Sequence, residues 1–165
     1  MLTTAAMHGT SSLGLRFNWT FSAPVGIYRE IPGPSRCGDL ALLCLPSDLE
    51  SLGRARRYLS AGNCGRGSSP VLKQVVALPG DEVEVQQNFF AVNGRMLDRS
   101  ELREVDSLGR PLAHVPLGHR KVPDGEAWVL GIHRDRSWDS RYFGPIPIES
   151  IVVRVEPLLV FGRSD

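Results

Sequence analysis

The chain has 165 residues, of which 42% are hydrophobic and 22% charged, and its formal net charge is +1. This length and composition are ordinary for one globular domain with a sizeable core. The near-neutral charge argues against a nucleic-acid partner. No apolar run approaches the roughly 18 to 20 residues that a membrane helix requires, so the sequence predicts a soluble domain.

Apolar runs separated by turn residues predict a mainly β fold. Residues 1–14 have the character of a leader, and 15–165 form the predicted domain. The Asn93-Gly94 pair is a strong signal for a hairpin, and 99–121 is polar and irregular, which indicates a loop excursion or the tip of a small subdomain. An extended segment at 15–28 precedes predicted strands at 40–45, 71–78, 82–86, 89–92, 96–97, 127–132 and 151–155.

One helix is predicted, at about 48–60. Ser47 with Glu50 three residues later has the form of a capping box at its start. The apolar positions that follow recur at helical spacing.

Three cysteines occur, Cys37, Cys44 and Cys64, without a CxxC pair or a histidine at ligand spacing. A zinc site is therefore disfavoured, and no metal or cofactor is expected. Two interpretations stay open at this point. The three residues are reduced thiols, or Cys44 and Cys64 form a disulfide in an oxidising compartment.

Two segments that are far apart in the sequence contain residues that could act together in one reaction. Ser22 lies in a turn-prone stretch, and Lys73 lies inside an apolar run. A buried lysine with a lowered pKa can accept the proton of a serine hydroxyl, which makes the serine a nucleophile. Thr20, two residues before Ser22, could add a donor to an oxyanion hole. From spacing alone, however, an edge strand on which Lys73 reaches water is the simpler interpretation.

A third segment, 131–144, is crowded with charge. The simple interpretation is a surface loop braced by ion pairs. The functional interpretation is that Ser137 and Asp139 orient Lys73, while Arg141 pairs within the loop.

Four ordered segments resemble the conserved boxes of bacterial type I signal peptidases. They are the serine segment 18–28, Gly38-Asp39 before an apolar strand, the lysine segment ending in Pro79-Gly80-Asp81, and the box Ser137 to Gly144. The resemblance covers about 17–157. The form Asn-x-Thr-x-Ser-x-Pro-x-Gly-x-Tyr of the serine segment is similar to the conjugative-transfer (TraF-type) branch of that family, as are the positions of Cys44 and Cys64.

The resemblance implies a coiled β-sheet core with one short helix and a small hairpin-rich cap at about 86–126. It implies Ser22 as nucleophile, Lys73 as general base and Asp139 as a third essential residue. The Ser22 N–H and the Thr20 hydroxyl would form the oxyanion hole. Ser137 would position the lysine, and Arg141 would brace the loop.

The resemblance also has departures. The third box begins Gly131-Ile132-His133-Arg134, where the housekeeping enzymes have Gly-Asp-Asn-Arg. The family is anchored by an N-terminal membrane helix that this sequence lacks. We therefore expect residues 1–14 to be a truncated or replaced leader, and an anchored parent to lie on the periplasmic face of the bacterial inner membrane.

The function that the resemblance implies is cleavage of a conjugative pilin precursor by acyl transfer, with or without cyclisation of the product. Three alternatives remain from the sequence. They are a general signal peptidase with secretory substrates, a self-cleaving peptidase of the repressor type, and a non-catalytic β binding module.

Overall fold

The computed structural model describes residues 14–20 and 23–161, and this part of the chain is mainly β, as predicted. The predicted leader lies outside the described residues, apart from Gly14. The strands are β1 (Leu15–Asn18), β2 (Val25–Ile31), β3 (Leu40–Leu43), β4 (Val71–Ala77), β5 (Glu82–Val85), β6 (Phe90–Val92), β7 (Arg95–Leu97), β8 (Gly118–Lys121), β9 (Glu126–Leu130), β10 (Ile146–Pro147) and β11 (Ile151–Phe161).

Seven strands form the first sheet, in the order β1-β2-β11-β3-β4-β9-β10, and its pairs are all antiparallel. β11 extends well beyond the predicted 151–155. It lies between β2 and β3, so it separates the strands beside the serine segment from the strand that carries the lysine. Its pairing with β2 is irregular between Pro157 and Leu159, where the register shifts by a β-bulge.

The second sheet has the order β7-β6-β5-β8 and spans residues 82–121. Asn93 and Gly94 both have positive φ, of 50° and 75°, and join β6 to β7 as the predicted hairpin. The polar strand β8 pairs with β5 and was not predicted from the sequence. Its side chains lack the apolar alternation by which strands are recognised.

The longer helix, α1 (Ser47–Ala55), begins close to the predicted position and ends earlier. The predicted capping box is wrong, because the start of α1 has no side-chain cap. The Glu50 carboxylate instead accepts hydrogen bonds from the backbone N–H groups of Arg66 and Ser68. A second helix of four residues, α2 (Ser140–Phe143), follows a short 3₁₀ turn at Arg134–Arg136.

Strand β4 contributes to three clusters of buried apolar side chains. Leu72 packs with the β2 and β11 side, Val75 with β3, β9 and α1, and Val76 with the second sheet. Burial on both faces is expected of an interior strand covered by other elements. Among the described residues, no helix is long and apolar enough to cross a membrane.

Candidate active site

Lys73 lies on β4, which is hydrogen-bonded to β3 on one side and β9 on the other. Only 4% of the residue is exposed. The edge-strand interpretation, in which the amine reaches water, is therefore wrong. Ala41 stands opposite Lys73 on β3.

The Lys73 amine has a defined partner. Its Nζ donates a hydrogen bond to Ser137 Oγ over 2.7 Å, and Ser137 is also buried. Burial lowers the pKa of Lys73 to about 8; the Asp139 carboxylate opposes this change and the Arg141 guanidinium adds to it. The amine is thus neutral in a substantial fraction of molecules slightly above neutral pH, and a neutral amine can accept a proton.

Asp139 and Arg141 form a fully buried ion pair behind Ser137. Arg141 Nε lies 2.9 Å from Asp139 Oδ1 and Nη2 lies 2.9 Å from Oδ2, a two-point contact between the guanidinium and the carboxylate. Asp139 also accepts a hydrogen bond from the Gly131 N–H, just after β9, and caps α2 through the Arg141 N–H. Its carboxylate is therefore committed to holding the 131–141 segment in shape.

Arg141 reaches beyond its own segment. Its remaining N–H groups donate to the carbonyls of Glu101 and Arg134, and its own carbonyl accepts from Val115 N–H. Glu101 and Val115 belong to the irregular part of the chain around the second sheet. The sequence predicted the pairing of Arg141 within its loop, but contained no signal for these distant partners.

Ser22, the predicted nucleophile, lies outside the described residues, as does Phe21. Thr20 lies directly before them. Its hydroxyl donates to Asn18 Oδ1 over 2.7 Å, and its backbone N–H donates to the same oxygen over 3.1 Å. Since a hydroxyl carries one proton, Thr20 must turn away from Asn18 before it can donate to an oxyanion.

Sequence reasoning missed two residues around this segment. Asn18 and Tyr28 are buried, and their side chains bind backbone carbonyls on both sides of Phe21 and Ser22. The pattern of the serine segment could have indicated them, because its characteristic residues occupy every second position and Asn18 and Tyr28 are the first and the last of these.

The two Gly-Asp turns hold the second half of β4 and the residue that follows it. The Gly38 N–H donates to the Val75 carbonyl, and the Asp39 carbonyl accepts from the Val75 N–H. After β4, the Asp81 carboxylate accepts from the Leu78 N–H over 2.8 Å and from the Asn93 side chain over 2.8 Å. The lysine strand is thereby tied to its neighbour in the first sheet and to the hairpin of the second.

Cys44 and Cys64 form a disulfide, with their Cα atoms 5.5 Å apart, and Cys37 is free and exposed. The structure thus contains the pairing that the second of the two interpretations names. The bond joins the segment after β3 to the loop that leads into β4.

Comparison with known proteins gives a consistent result. The family described as "Signal peptidase, peptidase S26" matches residues 12–159. The conjugal transfer protein TraF of Agrobacterium tumefaciens is 35% identical over 163 residues, covering 97% of this chain and 88% of that protein. A plasmid transfer protein TraF of Escherichia coli is 32% identical, with 90% of this chain and 84% of that protein covered.

Signal peptidase I proteins match a smaller part. The one of Bacillus caldolyticus is 37% identical over 92 residues, which cover 52% of this chain and 50% of that protein. Among solved structures, a signal peptidase I from Enterococcus faecalis is 26% identical with a TM-score of 0.43, covering 75% of this chain and 97% of that one.

Proposed function

We propose that this chain, which belongs to the signal peptidase family (peptidase S26), is a serine endopeptidase. Its proposed catalytic dyad is Ser22 and Lys73. The observation that carries the proposal is the burial of Lys73 on an interior strand, with a pKa lowered to about 8 and its amine on Ser137. Lysine is rarely fully buried, and a buried amine of lowered pKa is typical of a catalytic base.

The proposed reaction is acyl transfer. Neutral Lys73 takes the proton of the Ser22 hydroxyl while Ser22 Oγ attacks the scissile carbonyl carbon. The Ser22 N–H and the Thr20 hydroxyl, turned from Asn18, donate to the oxyanion. The Lys73 ammonium then returns its proton to the leaving amine, which gives an acyl-enzyme. Water, or the amine of a peptide if the product is cyclised, releases it.

Ser137 and Asp139 have different roles in this proposal. Ser137 contacts the Lys73 amine and aims it. Asp139 acts as a positioning residue, because both carboxylate oxygens are bound by Arg141 and Gly131. Arg141 holds that carboxylate in place, and the pair holds Ser137 where Lys73 can reach it.

The proposed substrate is the precursor of a conjugative pilin. The relatives named TraF match 90% or more of this chain, whereas the signal peptidase I proteins match about half of it. The extended substrate would add to the sheet as a strand near Ser22 and Lys73. A panel comparing a pilin precursor with secretory precursors tests this choice; equal cleavage of both groups would favour the general signal peptidase.

The proposed location is the periplasmic face of the bacterial inner membrane, in a membrane-anchored parent protein. The Cys44–Cys64 disulfide supports an oxidising compartment such as the periplasm. The signal peptidase relatives support an extracytoplasmic role.

The test of the dyad is a pH profile. We expect kcat/KM for a fluorogenic peptide with alanine before the scissile bond to rise with pH through a midpoint near 8, where Lys73 loses its proton. Between pH 7 and pH 9 the rise should be about tenfold. Ser22→Ala and Lys73→Arg should both be inactive, since an arginine stays protonated.

Lys121→Arg is the matched control, because the same change is made at an exposed lysine. It should keep both the activity and the pH midpoint. A profile that is flat from pH 6 to pH 10, or full activity of Lys73→Arg, would contradict the lysine base. Full activity of Ser22→Ala would mean that another residue is the nucleophile, and a wild type without peptidase activity would favour the non-catalytic β module.

A further inference from the structure

The serine segment has a repeating form. Its marked residues occupy every second position from 18 to 28: Asn18, Thr20, Ser22, Pro24, Gly26 and Tyr28. The chemistry of the proposed dyad uses only Ser22 and Thr20 of these six. The hydrogen bonds of Asn18 and Tyr28 indicate what the outer residues do.

Asn18, the last residue of β1, is 5% exposed and binds on both sides of Phe21 and Ser22. On one side, its Oδ1 accepts from the N–H and hydroxyl of Thr20. Its Nδ2 lies 3.2 Å from the Thr20 carbonyl, 3.3 Å from the Ala23 carbonyl and 3.0 Å from the Pro24 carbonyl. One amide group thus joins the residues before the serine to the residues after it.

Tyr28 binds the same place from β2. It is 1% exposed, and its hydroxyl donates to the Pro24 carbonyl over 2.7 Å. Burial raises the pKa of Tyr28, so the phenol stays protonated and remains a donor at the pH where Lys73 is neutral. The Pro24 carbonyl therefore accepts from two buried side chains on two paired strands.

We propose that Asn18 and Tyr28 are positioning residues for the nucleophile. They fix the backbone of Thr20 on one side of the proposed nucleophile and the backbone of Ala23 and Pro24 on the other. This inference rests on the proposed role of Ser22. A displacement of about 1 Å in a reacting group lowers a rate by as much as 100-fold. Two buried side chains that hold the backbone beside the nucleophile can therefore have a large effect on kcat.

The experiment compares Asn18→Asp, Tyr28→Phe and the double variant with the wild type, using the same fluorogenic peptide. Asn18→Asp keeps the acceptor for Thr20 but loses the donor to three carbonyls. We expect kcat to fall about 10- to 100-fold in Asn18→Asp and about 3- to 10-fold in Tyr28→Phe, with KM changed less than about threefold. The pH midpoint of Tyr28→Phe should stay near 8, because this change adds no charge to the surroundings of Lys73.

Tyr58→Phe is the matched control. It removes the same hydroxyl from another tyrosine, whose partner is the Asp106 carboxylate, away from the serine segment. It should lower the melting temperature at least as much as Tyr28→Phe does, because hydrogen bonds to charged groups are the stronger ones, while kcat stays within twofold of wild type. Activity is expressed per folded protein, measured by circular dichroism.

Each outcome has a distinct meaning. If Ser22→Ala is inactive but Asn18→Asp and Tyr28→Phe keep kcat within twofold of wild type, the positioning role is wrong and the dyad stands. If Ser22→Ala stays active, the dyad itself fails. Should Asn18→Asp not fold, Tyr28→Phe against Tyr58→Phe decides the question, since equal losses of kcat in the two would indicate a general effect of stability.

Discussion

Lys73 is an amine placed where its charged form is unfavourable. The chain has only two lysines among 19 basic residues, Lys73 and Lys121, and the other basic residues are arginines. An arginine can hold an ion pair or a carbonyl as well as a lysine can, but it cannot give up its proton. In a chain that otherwise uses arginine, a lysine in an apolar strand is consistent with a need for a neutral base.

The burial of Lys73 has a predicted effect on stability. At pH 7 the folded protein must either keep a charged amine in its interior or release its proton, and its pKa of about 8 lies below the ordinary 10.5. We expect Lys73→Met, which is similar in shape and uncharged, to raise the free energy of unfolding at pH 7 by about 2 kcal/mol, after allowance for the Ser137 hydroxyl that loses its partner. Urea unfolding measures this value.

The pH dependence checks the cause. Between pH 8 and pH 10.5 the unfolded wild type binds more protons than the folded protein, so the wild type gains stability as pH rises. The advantage of Lys73→Met should therefore shrink across that interval, and Lys121→Met should show no such trend. A constant difference from pH 7 to pH 10.5 would mean that the amine is not responsible.

At the scale of elements, the close approach of β11 determines which residue β2 can carry at position 26. A Cβ atom on Gly26 would lie 2.3 Å from the Leu159 carbonyl oxygen and 2.8 Å from the Val160 Cα, and both atoms belong to the backbone. Neither can move aside as a side chain would. The strand that follows the serine segment is thus closely packed against β11.

We expect Gly26→Ala to lower the free energy of unfolding by about 2 to 4 kcal/mol, because β2 and β11 must separate to admit the methyl group. Chemical denaturation measures the loss. Gly65→Ala is the control, since its nearest neighbour would be 3.8 Å away, and it should change stability by less than about 0.5 kcal/mol. Equal stability of the two variants would contradict the close approach.

Several elements were predictable because their signals are local. The apolar run of β4 and the Asn93-Gly94 turn needed no distant partner to be recognised. Glu50 misled the prediction, because the spacing of a capping box does not reveal that a loop 16 residues away offers its N–H groups. The extension of β11 was also missed, since its outer residues, such as Leu158 and Leu159, are exposed and irregularly paired.

In the candidate site, too, local signals were recognised and contacts with distant parts of the chain were not. Ser137 and Arg141 were identified from their box, and the contact of Ser137 with Lys73 agrees with the expected orientation of the lysine. The bonds from Arg141 to Glu101 and Val115 depend on how the second sheet packs, which periodicity does not encode. For the whole molecule, the order of the four boxes along the chain indicated the family more clearly than any single residue did.

The disulfide acts on the whole molecule through the unfolded chain. It closes a loop between residues 20 apart, and such a crosslink lowers the entropy of the unfolded state. We expect Cys44→Ala with Cys64→Ala to lower the free energy of unfolding by about 3 kcal/mol. The measurement is urea unfolding with and without a reducing agent.

Reduction should destabilise the wild type to about the level of the double variant and leave the double variant unchanged. Cys37→Ala, at the exposed free thiol, serves as the control and should respond to reduction as the wild type does. Insensitivity of the wild type to reduction would mean that the loop is held as firmly by other contacts, such as the bonds from Glu50.

The place of β11 in the first sheet has a consequence for biosynthesis. β11 is the last of the described strands to leave the ribosome, yet it lies between β2, which follows the serine segment, and β3, which pairs with the lysine strand. A nascent chain can therefore pair β1 with β2, and β3 with β4, before anything joins the two pairs. The strand that follows the serine segment and the strand that pairs with the lysine strand thus become parts of one sheet only when β11 is added between them.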